Sequence, residues 1–314
     1  MRVLVTGGFG YVGGRLARRL RANGHEIVLG SRKAASAPAW LSDADVAEMA
    51  WRDLTQLRAA CEGIDGIVHA AGMNAGDCQV DPIGALEVNG VATARLARAA
   101  IEAGVRRFIY LSTAHVYARP LAGHVAEDDL PQNPHPYATS HLAGENALLS
   151  ACDGGRLDGT IVRLSNAIGA PAATTVNCWM LLFCGLCKQA VTDVTLTLRT
   201  NTLQQRDFVA LDDVCAALEM LLQRTTSDLG ATLFNIGAGK SMTLLALAEL
   251  IQARCAALFG ARPTIQELQP QAASSGLDFD IGRSRATGYS PANDFVAETD
   301  RMLQFCRQAF APAS

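Results

Sequence analysis

Four short stretches carry residue types suited to holding a dinucleotide and moving a proton. Thr6-Gly7-Gly8-Phe9-Gly10-Tyr11-Val12-Gly13 spaces Gly7, Gly10 and Gly13 as GxxGxxG. Glycine there permits a tight turn and lets backbone approach a pyrophosphate, whose charge suits the free N–H groups of a helix start. Gly30-Ser31-Arg32-Lys33 offers a hydroxyl and two cations. A site for NAD usually has Asp or Glu there, accepting from the ribose 2′-hydroxyl, whereas cations accommodate a 2′-phosphate. The reading is NADP(H) over NAD(H); alternatively Arg32 and Lys33 are solvated loop charges. Ser112-Thr113-Ala114-His115-Val116-Tyr117 and Tyr137-Ala138-Thr139-Ser140-His141 supply hydroxyls, phenols and imidazoles. Residues four apart, such as Tyr137 and His141, share one face of a helix.

Strand and helix patterns position these stretches. Residues 2–6 form a short apolar run ending in glycines, as expected of a strand buried on both faces. Helix text follows over 11–22, closed by Asn23-Gly24. Further strands are expected at 26–29, 45–51, 66–70, 107–111 and 160–164, with helices at 55–61, 82–103 and 137–150. Alternating strands and helices imply an α/β fold, a doubly wound parallel sheet of Rossmann type. Asp53-Leu54 then follows the third strand, where an Asp can hydrogen-bond adenine. Ala70-Ala71-Gly72 ends the fourth with small residues that let a cofactor pass close to backbone.

The pattern weakens after Leu164. A helix is expected over 176–190, a strand over 195–200, helices over 212–223 and 242–259, and a strand over 233–236, with a loop-rich tail. The expected division is a dinucleotide-binding domain from 1–164 and 204–237, and a smaller discontinuous α/β substrate-binding domain from 165–203 and 238–314. Gly239-Lys240-Ser241 lacks the upstream glycine of a P-loop, since Phe234 stands there. It reads instead as a loop leading into the helix near Met242.

Composition removes whole classes of function. The chain has 314 residues, 49% hydrophobic and 18% charged, which excludes a disordered protein. A net charge of −3 gives no basic face for nucleic acid, and no cluster of Lys or Arg suits an anionic membrane. Nine cysteines in largely apolar text look like free thiols of a reducing compartment. Cys184 and Cys187 make a CxxC with no second pair for zinc, so no metal is expected. Residues 2–6 read as strand rather than leader, and the expected location is the cytoplasm.

With these residues the chain resembles the extended short-chain dehydrogenase/reductases, in particular the NAD(P)-dependent sugar-nucleotide epimerase/dehydratase/reductase branch. The resemblance runs through Thr6–Gly13, Asn89 in Val88-Asn89-Gly90-Val91-Ala92-Thr93, Thr113 with Tyr137, and Arg163-Leu164-Ser165-Asn166. It continues through Arg206-Asp207-Phe208-Val209-Ala210-Leu211-Asp212-Asp213-Val214 and Phe234-Asn235-Ile236-Gly237. It implies that Phe9, Tyr11, Val12, Asn89, Ser112 and Leu164 join the glycines around the cofactor. It implies that Tyr137 exchanges a proton with the substrate oxygen while Thr113 orients that oxygen, and that Asn166 and Arg206 hold a diphosphate. Arg206 alternatively forms a structural ion pair with Asp207 or Asp212. His115 and His135 are candidates for the substrate pocket, and Ser165 and residues 174–177 for contacts to sugar or base. His69 is expected to pack at a strand end. A homodimer through helices 82–103 and 137–150 is also implied.

One position departs from the pattern. His141 stands where the family calls for Lys, a permanent cation that also grips the nicotinamide ribose. Histidine is shorter and half-charged only near pH 6.5. On that basis its support of Tyr137 fades above neutrality, and His141→Lys keeps or raises turnover with a higher pH optimum. The leading expectation is reduction of a 4-keto nucleotide sugar. The alternatives are a nucleotide-sugar 4-epimerase and a non-catalytic NADP-binding regulatory protein. A 4,6-dehydratase would need an Asp-Glu pair where Ala114-His115 stands.

Overall fold

Short apolar runs alternate with amphipathic stretches, and a computed structural model, describing residues 1–33, 35–269 and 271–310, turns them into layers. The strands are β1 (Arg2–Thr6), β2 (Glu26–Ser31), β3 (Asp45–Glu48), β4 (Gly66–His69), β5 (Arg107–Thr113), β6 (Gly123–Val125) and β7 (Asp158–Leu164). Then come β8 (Asn166–Ile168), β9 (Thr195–Leu198), β10 (Gln205–Ala210), β11 (Leu233–Ile236), β12 (Ser241–Thr243), β13 (Thr264–Glu267) and β14 (Leu277–Phe279). The helices begin with α1 (Tyr11–Ala22), α2 (Leu54–Cys61), α3 (Ala75–Val80), α4 (Pro82–Ala85), α5 (Ala92–Ala103) and α6 (Pro136–Cys152). They end with α7 (Leu182–Thr192), α8 (Leu211–Leu222), α9 (Thr226–Leu229), α10 (Leu244–Phe259), α11 (Gly282–Ala286) and α12 (Phe295–Phe310).

Seven strands form one parallel sheet in the order β11-β7-β5-β4-β1-β2-β3. Its strands are apolar because helices cover both faces. One face packs Val3, Val5, Val68, Ile109 and Val162 against Leu16 and Leu20 of α1 and Leu218 of α8. The other packs Leu4, Ile67, Phe108 and Tyr110 against Leu57 of α2, Leu96 of α5 and Leu148 of α6. The order reverses at β1, which lies between β2 and β4, and such a switch leaves a crevice beyond the strand C-termini. Thr6 ends β1 there, with Gly30 and His69 as its register partners.

A further core gathers Ile168, Phe183, Leu196, Phe208, Leu247, Ile251 and Met302 from the later elements. Around it stand a sheet of β12-β10-β8 and a parallel pair of β13 with β9, while β14 pairs with β6.

The structure revises several expected elements. The helix expected over 82–103 is α4, a π-helical turn at Leu86–Val91, and α5. The loop expected before Met242 is partly strand, since Ser241–Thr243 pairs with Gln205–Asp207. The tail contains α12, whose Phe295, Thr299, Met302, Leu303 and Cys306 are buried at helical spacing. Residues 311–314 of the expected second domain lie outside the described residues. No helix among the described residues is long and apolar enough to cross a membrane.

Candidate active site

The glycine turn lies between β1 and α1. Gly7 adopts φ +68°, and a Cβ there would come 2.7 Å from the Ala70 carbonyl oxygen at the end of β4. Gly10 N–H donates to the Gly7 carbonyl at 2.8 Å, and a Cβ on Gly13 would collide with that same carbonyl. Positions 7 and 13 of the turn therefore have no room for a side chain. Helix α1 has no side-chain cap and no acid in its first turn, which leaves N–H donors for an anion. This cradle fits a pyrophosphate.

The other expected cofactor residues divide into open and occupied groups. Arg32 and Lys33 are exposed beyond β2, and Ser31 is the register partner of Glu48 on β3. Asp53 caps α2 by accepting from Gln56 N–H at 3.1 Å, with Leu54 opening that helix. Phe9 and Val12 pack against the main core, and Tyr11 donates to the Gly169 carbonyl at 2.9 Å. Ala71 N–H approaches Thr6 Oγ1 at 3.4 Å, and Gly72 faces the side chains of Asn89 and His141. Asn89 is spent internally: Oδ1 accepts from Met73 N–H at 2.8 Å, and Nδ2 donates to Ser140 at 2.9 Å. Ser112 donates to the buried Glu145, which also pairs with Arg163 at 2.7 Å. Leu164 is buried at the end of β7.

Helix α6 and β5 bring the proposed acid and its helper together. Tyr137 is half-buried on the first turn of α6. Burial pushes its phenol above the ordinary range, while the Thr113 hydroxyl, at the end of β5, opposes that rise. Thr113 also accepts from His115 N–H at 3.1 Å. His141, one turn along α6, is 6% exposed, and its ring meets that of Tyr137 edge to face. Burial pushes His141 down to about 4. The expected half-charge near pH 6.5 is thereby corrected: burial favours the neutral imidazole, and no charged partner among the described residues offsets it.

Tyr137 opens onto a cavity of about 680 Å³, also lined by His115, Arg119, His135, Asn166 and Arg206. Among the described residues no Asp or Glu lines it. Asn166 Nδ2 donates to the Asp207 carbonyl at 2.8 Å. Arg206 donates to Gln204 at 3.2 Å, and burial pushes its guanidinium down. The ion pair considered for Arg206 does not form. Asp207 instead accepts from Ser165 and from Ala238 and Gly239 N–H, while Asp212 pairs with Arg15 and Arg301. His135 caps α6, its Nδ1 accepting from Tyr137 N–H at 3.1 Å. Burial, aided by Arg206 and Arg119, pushes His115 down to about 4. Sequence reasoning missed Arg119, which lies in a loop with no motif around it, and Tyr110, which reads as an ordinary strand residue.

Residues 3–237 match the NAD dependent epimerase/dehydratase family. The chain belongs to that family. It is 32% identical over 261 residues to a dTDP-6-deoxy-L-talose 4-dehydrogenase (NAD(P)(+)) of Kitasatospora kifunensis, covering 80% of this chain and 78% of the relative. A UDP-glucose 4-epimerase of Corynebacterium glutamicum is 30% identical over 177 residues, 54% of this chain and 52% of that enzyme. Among solved structures, the UDP-glucuronic acid 4-epimerase of Bacillus cereus in complex with NAD aligns with a TM-score of 0.82 at 23% identity. It covers 100% of this chain and 99% of its own, a likeness that bears on fold alone. Family and fold thus agree with the resemblance read from the motifs. The nine cysteines carry no disulfide, and all but Cys152 are buried.

Proposed function

We propose that the chain is an NADP(H)-dependent reductase acting on a 4-keto nucleotide sugar, with Tyr137 as proton donor. The placement of Tyr137 carries this reading: a phenol in the cavity wall, beside the Thr113 hydroxyl, with an imidazole against it where the family pattern has a cation. A phenol is almost wholly protonated at neutral pH, so the form that ketone reduction uses is the abundant one and the phenolate is scarce. Ketone reduction needs the donating step, whereas epimerisation must first oxidise an alcohol, which needs the phenolate. When bound, the reduced dinucleotide supplies hydride to the carbonyl carbon. Tyr137 gives its proton to the carbonyl oxygen, and Thr113 orients that oxygen. Arg206 and Arg119, in a cavity with no carboxylate among the described residues, suit a diphosphate, which a guanidinium fork can hold through two hydrogen bonds.

The Kitasatospora relative's name supports chemistry at sugar C4 and a choice of either dinucleotide. Exposed Arg32 and Lys33, at a strand end without an acid of its own, support NADP(H). A second reading, a nucleotide-sugar 4-epimerase retaining NAD, draws on the epimerase relative and the NAD in the aligned structure's title. Purified protein incubated with NADPH or NADH and a panel of 4-keto nucleotide sugars separates them. The reductase consumes NADPH with the keto sugar. Conversion of a UDP-hexose without net dinucleotide consumption would replace this reading with the epimerase. Binding of NADPH with neither reaction would replace it with a regulatory role.

The reading also includes a cytoplasmic homodimer through helices 82–103 and 137–150, which correspond to α4 through α5 and to α6. Val80 and Ile83, 87% and 75% exposed, with Leu86, Val91 and Leu149, leave apolar surface on that side. Exposed apolar side chains on these elements suit a protein partner.

A further inference from the structure

The buried face of α6 consists of Ala138, Ser140, His141, Gly144, Glu145 and Leu148, so Leu148 is its one large apolar side chain. Apolar burial is non-directional and leaves a helix some freedom to slide or rotate on its sheet. Polar contacts dominate this face instead. Gly144 makes room for the Tyr110 hydroxyl, which donates to the Asn89 carbonyl at 3.2 Å, and Ser140 accepts from Asn89 Nδ2 at 2.9 Å. The one buried charge on the face is Glu145, about two turns beyond Tyr137.

Ser112 of β5 and Arg163 of β7 are register partners, so their side chains stand together on the sheet face that α6 covers. Both hold the Glu145 carboxylate. Ser112 Oγ donates to Oε1, Arg163 Nε donates to the same oxygen at 3.1 Å, and Arg163 Nη2 donates to Oε2 at 2.7 Å. Glu145 and Arg163 are 2% and 5% exposed. The guanidinium is itself held: it lies over the Tyr117 ring, 4.6 Å from the centre, and Tyr117 donates to Asn235 at 2.8 Å. A two-pronged charged contact fixes orientation as well as distance. Such a pair is costly to desolvate, and apolar residues of the same volume often hold a core as well or better. What they do not supply is a fixed placement. Ser112 immediately precedes Thr113, and Glu145 shares α6 with Tyr137. The carboxylate thus ties the strand end that carries one proposed reacting hydroxyl to the helix that carries the other.

We propose that Glu145 is a positioning residue: clamped by Ser112 and Arg163, it sets where α6 lies on β5 and so the distance between the Tyr137 phenol and the Thr113 hydroxyl. The roles of those two hydroxyls rest on the reductase reading; the clamp itself does not.

Two measurements test it, and the first needs no turnover. The chain has five tyrosines, so carbon-13 NMR of protein labelled at tyrosine Cζ is tractable, with the Tyr137 signal identified through Tyr137→Phe. Thr113→Ala should move that signal in the native background, where the Thr113 hydroxyl bonds the phenol. In Glu145→Met/Arg163→Met, which replaces the pair with apolar side chains, the signal should already be displaced, and Thr113→Ala should add little. A signal that Thr113→Ala leaves unmoved in the native protein, or moves equally in both backgrounds, overturns the proposal. The second measurement is keto-sugar reduction. In the double Met variant kcat should fall about 10- to 100-fold, the scale of a misplaced reacting group, with NADPH affinity and KM within a few-fold. Native kcat in that variant also overturns the proposal. If the double variant does not fold, Ser112→Ala decides, because it leaves the ion pair in place and removes only the strand's bond to it: the Tyr137 signal should move, and an unmoved signal sinks the clamp. Should the signals behave as stated while the native protein reduces no keto sugar, the functional reading fails and the clamp stands.

Discussion

The rings of Tyr137 and His141 meet edge to face with their centres 4.6 Å apart, and neither carries a charge at neutral pH. On the proposed reading Tyr137 acts as the acid. Tyr137→Phe removes the transferable proton and leaves the ring packing intact. Turnover should fall about 10²- to 10⁴-fold, while NADPH affinity, measured by fluorescence titration, stays within a few-fold. Full turnover in this variant would exclude Tyr137 as the proton donor.

The raised phenol sets the pH behaviour of the two directions. Ketone reduction uses the protonated form, so its rate should stay flat through neutrality and decline only at alkaline pH. Alcohol oxidation uses the phenolate and should rise with pH across the same range. His141→Lys places a cation beside the phenol and favours its ionised form. Because native His141 is already neutral, the variant should move both profiles toward lower pH and raise the oxidation rate near neutrality. This replaces the upward shift expected from sequence, which assumed a half-charged imidazole. Rate profiles in both directions check it; unmoved profiles would mean that the ammonium does not reach Tyr137.

Arg206 has no carboxylate partner among the described residues, so its removal costs the substrate rather than the fold. Arg206→Ala should raise KM for the nucleotide sugar about 10- to 100-fold, the scale of hydrogen bonds to a charged group, with kcat changed far less. An unchanged KM would place the diphosphate elsewhere.

Two buried histidines, His69 and His141, and the half-buried His115 should make the fold acid-sensitive. Burial pushes His69 down to about 3 and His115 and His141 to about 4. Unfolded histidines titrate near 6.5, so between about pH 6.5 and 4 the unfolded chain binds more protons than the folded one. Their contribution is complete above pH 6.5 and is lost as pH falls through the folded values. Tm recorded from pH 7.5 to 4.5 should decline progressively, and less steeply in His141→Gln. A constant Tm over this range would contradict neutral burial of these rings.

The proposed homodimer can be tested at Ile83, which is 75% exposed. Ile83→Glu buries a charge in any contact made there and should shift the protein from dimer to monomer in light scattering after gel filtration, with little change in Tm. A native protein already monomeric at micromolar concentration would remove the homodimer from the proposal.

The chain order of strands and helices was legible because β1, β2, β4 and β5 are contiguous apolar runs, and a parallel sheet buries both strand faces. The helix α12 was missed although its buried positions are helically spaced, because Ser, Pro and Gly in the preceding tail favoured a loop reading. The short strands β6, β12 and β14 carry too few residues for any period to emerge.

By itself the sequence determined what is local: the glycine turn, whose backbone conformation excludes side chains; the cations after β2; and the i, i+4 pairing of Tyr137 with His141. Tertiary structure decided what each polar group faces. It drew Asn89 and Ser112 into internal hydrogen bonds, left Arg206 without a carboxylate, and set Tyr110 behind His141 from a strand 31 residues away. The charge of a histidine depends on desolvation and on partners distant in the chain, and these exist only once the layers have packed.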